Sequence, residues 1–274
     1  MRADLHLHTY YSDGAYSPEE IARRAREAGV KLISMTDHDN MEGMDEKRAA
    51  AKAHDLKFVP GWEVSSYLDV KVHVLGYNCA QGAAYRAFLN KRKECALVRA
   101  EESLKKANAH FGLSLTMGDV LARQAKKDAP LHTMHVVRAF AERVGGTPGT
   151  LYDTVFAKNC PAYSDYGRPT PTDAIEVIHA CGGLAFLAHP GCIRLPQGER
   201  DALINALVLQ GLDGIECTHS LHTEGEKEYF ESYAARRGLL VSGGSDFHAE
   251  GRKRILGLPV FEADEKLLRA LAPS

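Results

Sequence analysis

Histidine and carboxylate side chains recur along this chain in short, regular patterns. His6 and His8 stand one residue apart in DLHLHTYYSDG, and Asp13 follows five residues later. Further on come His38 in MTDHDN, Glu63 in GWEVS, His73 in VKVHVLGY, His189 in LAHPG, and Asp246 with His248 in GGSDFH. Imidazole and carboxylate together suit zinc, manganese or iron. In an extended strand, residues two apart point the same way, so His6 and His8 can grip one ion from one side. Single members of the set have plainer explanations. His73 alone in an apolar strand is accounted for by core packing, His38 alone by a turn, and an isolated HxH is weak evidence. The joint pattern is hard to obtain from packing alone. As a set, the residues are too many for one ion and suit about three, at roughly four ligands each with shared carboxylates.

The elements that must position these groups can be read in outline. ADLHLH reads as a strand. SPEEIARRAREAG reads as a helix, with Ser17 as N-cap, Pro18 in the first turn, Glu20 closing a capping box and Gly29 as the stop. VKLISMTD, LKFVPGWE, VKVHVLGY, GGLAFLAH, GLDGIECT and GLLVSGGSD read as further strands, with helical stretches such as GMDEKRAAAKAHD among them. This alternation predicts a largely parallel α/β architecture. Parallel α/β sheets and barrels gather their sites at the carboxyl ends of strands, which is where the histidines and acids fall. Residues 80–165 interrupt the alternation with helical pattern, including the long stretch AYRAFLNKRKECALVRAEESLKKANAHFG. The expected division is therefore a metal-binding barrel from 1–79 and 166–274, with an inserted helical cap at 80–165.

Composition bounds the function. The 274 residues are 45% hydrophobic and 26% charged, as in an ordinary globular protein. Lysine plus arginine is 34 against 36 aspartate plus glutamate, a net charge of −2, which gives no electrostatic reason to expect a nucleic-acid polymer as partner. No apolar run reaches membrane-spanning length and the start is too polar for a secretory signal. Six cysteines without a CxxC pair fit free thiols in a reducing cytoplasm.

Taken together, DLHLHTYYSDG, ISMTDHDNMEG, GWEVS, VHVLGY, GGLAFLAHPG, GIECTHSLHT and SGGSDFH resemble, in order along nearly the whole chain, the motifs of the polymerase and histidinol phosphatase (PHP) family. The resemblance implies an α/β fold, a distorted seven-stranded β/α barrel, and three divalent transition-metal ions (Mn, Zn or Fe) that hydrolyse phosphate esters. Carried over by position, it implies one ion on His6, His8, Glu63 and Asp246. A second shares Glu63 and takes His73 and His189, and a third takes Asp13, His38 and His248. Asp13 stands where some members have histidine. Within the family the chain is most similar to stand-alone phosphoesterases, including nucleoside 3′,5′-bisphosphate phosphatases. HTMH puts Thr133 where those relatives often have arginine, and CPAYS puts Cys160 and Ser164 where they often have KPAYV. Both segments line the substrate side in the relatives, so these departures bear on which ester is cut.

The implied mechanism uses a water shared by two ions as a hydroxide nucleophile, with Glu63 and Asp246 as bridging carboxylates. His219 and His222 in THSLHT are candidates to protonate the leaving oxygen. For substrate contacts the candidates are Thr133, His135 and Arg138, with His132 beside them, and Arg194 and Trp62 from the barrel. Arg168 and the basic residues Lys91, Arg92 and Arg99 are weaker candidates. The expected substrate is a small phosphorylated, nucleotide-like metabolite. The alternatives are a sugar cyclic phosphate, histidinol phosphate, or a polymerase-associated or structural metal-binding module. The last is disfavoured by the absence of a polymerase segment and of a basic excess.

Overall fold

Strand β1 (Arg2–Leu7) is apolar on one side and carries part of the site on the other, and the buried strand β2 (Leu32–Met35) leads into the loop that holds Asp37 and His38. Along β1 the pleat sends Ala3, Leu5 and Leu7 into the core while Asp4 and His6, and His8 beyond the strand, share the opposite face. In the computed structural model, residues 1–123, 131, 133–251 and 254–272 are described. The chain divides into two compact units, one of residues 1–86 with 169–274, the other of residues 87–168.

The first unit holds two sheets. Strand β3 (Lys57–Phe58), β2, β1 and strand β9 (Phe261–Glu262) form one, in that order. Strands β4 (Gly61–Tyr67), β5 (Lys71–Tyr77), β6 (Leu184–Leu187), β7 (Gly214–His219) and β8 (Leu240–Gly244) form the other. Pairing is parallel between β1 and β2, β2 and β3, β6 and β7, and β7 and β8, but antiparallel between β4 and β5, β5 and β6, and β1 and β9. The sheets are thus mixed rather than largely parallel, and strand pairing among the described residues does not run unbroken around one seven-stranded barrel. Among the described residues, single bridges join the sheets where they meet: Leu7 with Phe247, and His38 with Glu63. At both places the backbone leaves strand geometry, with Asp39 at φ 58° and Asp246 at φ 53°, and a continuous ladder cannot pass through such residues.

Helices α1 (Pro18–Glu27) and α2 (Met44–Ala53) pack on the first sheet's side. Ser17 caps α1 by accepting from the Glu20 N–H at 3.2 Å. Glu20 does not return the bond expected of a capping box; its carboxylate takes Arg23 and Arg24 instead. The stretch LKFVPGWE is two strands rather than one, parted at Pro60, which has no N–H to give a ladder. Helices α7 (Pro171–Ala180), α8 (Gln197–Leu209), α9 (Glu224–Arg237) and α10 (Glu265–Ala270) complete the unit.

The second unit is helical among its described residues. Most of the long helix α3 (Ala83–Phe111) lies in it, with α4 (Met117–Leu121), α5 (Thr133–Val144), α6 (Pro148–Leu151) and a wide turn at Tyr152–Phe156. Its own core joins Ala96, Ala100 and Leu104 of α3 to Val136, Val137 and Phe140 of α5 and to Phe156. No helix among the described residues is long and apolar enough to cross a membrane.

Candidate metal centre

The loop after β1 and the loop after β8 lie side by side: His8 N–H donates to Phe247 O at 3.0 Å, and Asp246 N–H to His6 O at 2.8 Å. This contact sets His6, His8, Asp246 and His248 together. It needs a residue without a side chain at 244, because a Cβ there would lie 2.4–2.9 Å from His6 atoms. The loop after β2 reaches β4 in the same way, since Asp39 N–H donates to Glu63 O and Glu63 N–H to Asp37 O.

The result is three overlapping groups whose potential ligand atoms lie within 4.8 Å of one another: His6, His8, Glu63 and Asp246; His8, Asp13, His38 and His248; and His38, Glu63 and His73. His189 adjoins them, its Nε2 lying 3.0 Å from Glu63 Oε1. All are buried or half-buried except Asp13, whose side chain is 56% exposed and closes the cluster on the solvent side.

The donor set fits metal ions. Glu63 Oε2 has His38 Nδ1 at 3.0 Å, His6 Nε2 at 3.2 Å and His8 Nε2 at 3.3 Å around it. All four atoms are buried, and none makes a hydrogen bond among the described residues. Buried polar atoms left so are costly, and convergent imidazole and carboxylate lone pairs are what a divalent ion satisfies. Groups behind the rings fix which nitrogen faces inward. His6 Nδ1 donates to Glu216 Oε1 at 2.9 Å, and His248 Nδ1 to Asp246 O at 2.8 Å. Both leave Nε2 toward the cluster, the usual arrangement behind a metal ligand.

The charges are strongly coupled. Burial opposes charge on His6, but Glu216, Glu63 and Asp246 outweigh it and hold the ring well above its ordinary value. His8 is pushed up to about 9 against burial, by the close carboxylates of Asp246 and Glu63. Burial would raise Glu63 and Asp246, yet the surrounding histidines hold both well below the carboxylate range. Asp13 is lowered in the same way by His248, His38 and His8. His73 goes the other way, pushed down to about 3 by burial.

The two histidines expected to protonate the leaving group differ. The Leu221 N–H donates to His219 Nδ1 at 3.2 Å, so His219 carries its proton on Nε2, which faces Asp246 Oδ2 at 3.2 Å. His222 has no proton to offer. Its Nδ1–H donates to Cys217 O at 2.8 Å, and its Nε2 accepts from the Gly191 N–H at 3.0 Å. Burial lowers its basicity further. The expectation that His222 acts as a general acid is therefore corrected.

Trp62 is corrected as well. It is fully buried, edge-on to Tyr85 with ring centroids 5.4 Å apart. Neighbouring strand residues face opposite sides, so a β4 that turns Glu63 to the cluster turns Trp62 into the core. Arg194 is exposed on the segment after His189, and it is Arg200 that reaches this loop, 3.4 Å from Pro190 O and Gly191 O. Thr133 and His135 are half-buried and Arg138 exposed on α5. Arg168 lies over the Tyr163 ring, Arg92 over Phe88, and Arg99 donates to Tyr166 O, all within the second unit; Lys91 is exposed there. His132 lies outside the described residues.

Three contributors were missed in the sequence. Glu216 is buried on β7 and serves both His6 and the His189 N–H, which it receives at 2.7 Å. Its signal was a lone acid in the apolar run GIECT. Asp37 is buried in an ion pair with Lys47 at 2.5 Å and accepts from Thr9 and Ser12. Arg254 places Nη2 3.0 Å from Asp246 Oδ2. A cavity of about 200 Å³ opens beside His219, lined by Ser220, Lys227, Ile255 and Leu258 among others.

A mixed α/β fold in which imidazoles and carboxylates from strand ends converge with Glu63 and His73 from within β4 and β5 defines a metal-dependent hydrolase of phosphate esters. The chain belongs to the PHP family: the PHP domain model matches residues 4–125, and relatives match over nearly the whole length. It is 31% identical over 262 residues to a 3′,5′-nucleoside bisphosphate phosphatase of Chromobacterium violaceum, covering 90% of this chain and 87% of that protein. It is 30% identical over 271 residues to a phosphoribosyl 1,2-cyclic phosphate 1,2-diphosphodiesterase of Eggerthella lenta, covering 95% and 99%. A 5′-3′ exoribonuclease of Haemophilus influenzae is 28% identical over 258 residues, covering 89% of each. Among solved structures, one from Bifidobacterium adolescentis described as a metal-dependent phosphoesterase superposes with a TM-score of 0.75 at 26% identity, covering 98% of this chain and 94% of that one.

Proposed function

We propose that this enzyme releases phosphate from a small nucleotide-like ester, a nucleoside 3′,5′-bisphosphate being the leading candidate, with three divalent ions of manganese, zinc or iron. The observation that carries this reading is the ring of buried, unbonded nitrogens about Glu63 Oε2. His6, His8, Glu63 and Asp246 would hold one ion, Glu63, His73 and His189 a second, and Asp13, His38 and His248 a third. Such ions supply positive charge for the phosphoryl oxygens and lower the pKa of water toward neutrality. The protein's own groups do the rest. Glu216 and the Asp246 carbonyl orient imidazoles. Asp246 is held with Oδ1 toward His8 and Oδ2 on His219 and Arg254. His219 keeps a proton on Nε2 beside the cavity that would take the alcohol part of the substrate.

The helical unit would serve as a cap that reads the substrate through Thr133, His135 and Arg138, and the strands of the first unit would form a distorted barrel of the family's type. A sugar cyclic phosphate is the second reading, favoured by the Eggerthella relative's similarity over 95% of this chain. The Haemophilus relative keeps a nucleic-acid substrate in play against the absence of a basic excess. Manganese-reconstituted protein should be assayed for phosphate release from a nucleoside 3′,5′-bisphosphate, a ribosyl 1,2-cyclic phosphate, histidinol phosphate and a 5′-phosphorylated short RNA. The highest kcat/KM is expected on the bisphosphate. A highest value on the cyclic ester or RNA would transfer the function to that class.

A further inference from the structure

We infer that His222 is a positioning residue that holds the backbone of the His189 loop and thereby aims the His189 ring at the metal centre. This inference rests on the reading of His189 as a metal ligand. The His189 backbone is at φ 29°, a conformation that a residue with a Cβ adopts only under constraint from its surroundings. The constraint is visible on three sides. Glu216 on β7 receives the His189 N–H at 2.7 Å. Arg200 on α8 lies 3.4 Å from the Pro190 and Gly191 carbonyls. His222 accepts the Gly191 N–H at 3.0 Å.

The His222 ring is itself fixed. Its Nδ1–H donates to Cys217 O on β7, and its face meets Phe230 of α9 with centroids 5.4 Å apart. The ring therefore bridges β7 to the His189 loop, with one nitrogen spent at each end. The approach is close enough to exclude a side chain on the loop, since a Cβ at Gly191 would lie 2.6 Å from His222 Cδ2 and 3.1 Å from Glu226 Oε1. A ring used in this way donates no proton to substrate, which separates positioning from acid catalysis. A primary amide reproduces the pair of functions, because glutamine offers an N–H to Cys217 O and an oxygen to the Gly191 N–H. Phenylalanine offers neither.

The experiment compares wild type, His222→Gln and His222→Phe, each stripped and reloaded with manganese. Three quantities are read: the imidazole ¹⁵N signature of His222, hydrogen exchange at the Gly191 amide, and the affinity of the most weakly held ion. The expected wild type shows a neutral ring protonated at Nδ1 and a protected Gly191 amide. His222→Phe is expected to lose that protection and about 10–100-fold in affinity for one ion, the usual loss when a group behind a ligand is removed. His222→Gln is expected to recover most of both. On phosphate esters, the kcat/KM loss in His222→Phe should be the same for good and poor leaving groups. A Gln variant as impaired as Phe, with losses that grow as the leaving group becomes more basic, would make His222 an acid catalyst and overturn the inference. So would an Nε2-protonated ring in the wild type, a readout that needs no variant to fold. The exchange and metal readouts decide this question even if no phosphate ester proves to be a substrate.

Discussion

Asp246, like Glu63, is a carboxylate on which many contacts of the centre fall. One carboxylate oxygen faces His6 and His8 and the other is held by His219 and Arg254. Asp246→Asn and His189→Ala are expected to lower kcat/KM by more than about 100-fold, beyond what loss of a group behind a ligand costs. Circular dichroism and melting should show the fold retained, because the cores under the sheets are built from apolar residues on the other face. Near-normal activity at limiting metal in either variant would remove it from the ligand set. Protonation gives a second residue-scale test. The surrounding carboxylates favour charge on His6 and His8 in the protein without metal, so metal uptake near neutral pH should release protons, fewer above about pH 9. Linkage gives the stability of that form. The raised His8 stabilises fully below its unfolded value near 6.5, and that contribution is lost as pH rises through about 9. The depressed Asp13, Glu63 and Asp246 stabilise above the carboxylate range, and their contribution is lost as pH falls through their native values. His73, pushed down to about 3, stabilises above its unfolded value near 6.5, and that contribution is lost as pH falls toward 3, so thermal melts of the stripped protein should peak at roughly pH 6.5. A melting temperature still climbing from pH 7 to 9 would contradict the assigned pairing.

At the scale of elements, α2 is tied to the site by one buried pair. Lys47 on α2 meets Asp37, and Asp37 accepts the Thr9 N–H and the Thr9 and Ser12 hydroxyls in the loop that carries Asp13. Lys47→Met leaves a buried carboxylate without its partner and should cost about 3–5 kcal/mol in urea unfolding. A change under about 1 kcal/mol would show that the charge there is solvated. This device was not read in the sequence, because a lysine among alanines in KRAAAKA looks like a solvent-facing helix position. What could be read were groups at the end of an apolar run: His6, His8 and Asp246 announce themselves, and Glu63 was read as the end of LKFVPGWE although it lies within β4. Glu216 breaks the pattern within a strand and passed as an isolated acid. Trp62 was misjudged because its neighbour Glu63 drew it toward the site, when the pleat places the two on opposite faces. Strand direction was also hidden. The β4–β5 hairpin turns in three residues at Leu68–Val70, and periodicity alone does not report whether the next strand returns beside the last.

On the scale of the whole molecule, the helical stretch between β5 and α7 has its own apolar core, separate from those under the sheets. His135→Ala and Arg138→Ala are expected to lower kcat/KM at least about 10-fold on the natural ester and little on an aryl phosphate, since selectivity must come from groups that reach beyond the phosphate. Equal losses on both would assign these residues to folding of the helical unit. The metal centre itself is tested most directly by titrating manganese into chelator-stripped protein while following phosphate release from a nucleoside 3′,5′-bisphosphate. The stripped protein should be inactive, activity should return as the ions bind, and Asp246→Asn should stay inactive at every metal concentration. Full activity in the stripped protein, or metal-restored activity in Asp246→Asn equal to that of the wild type, would contradict a phosphoesterase whose chemistry depends on ions at this cluster.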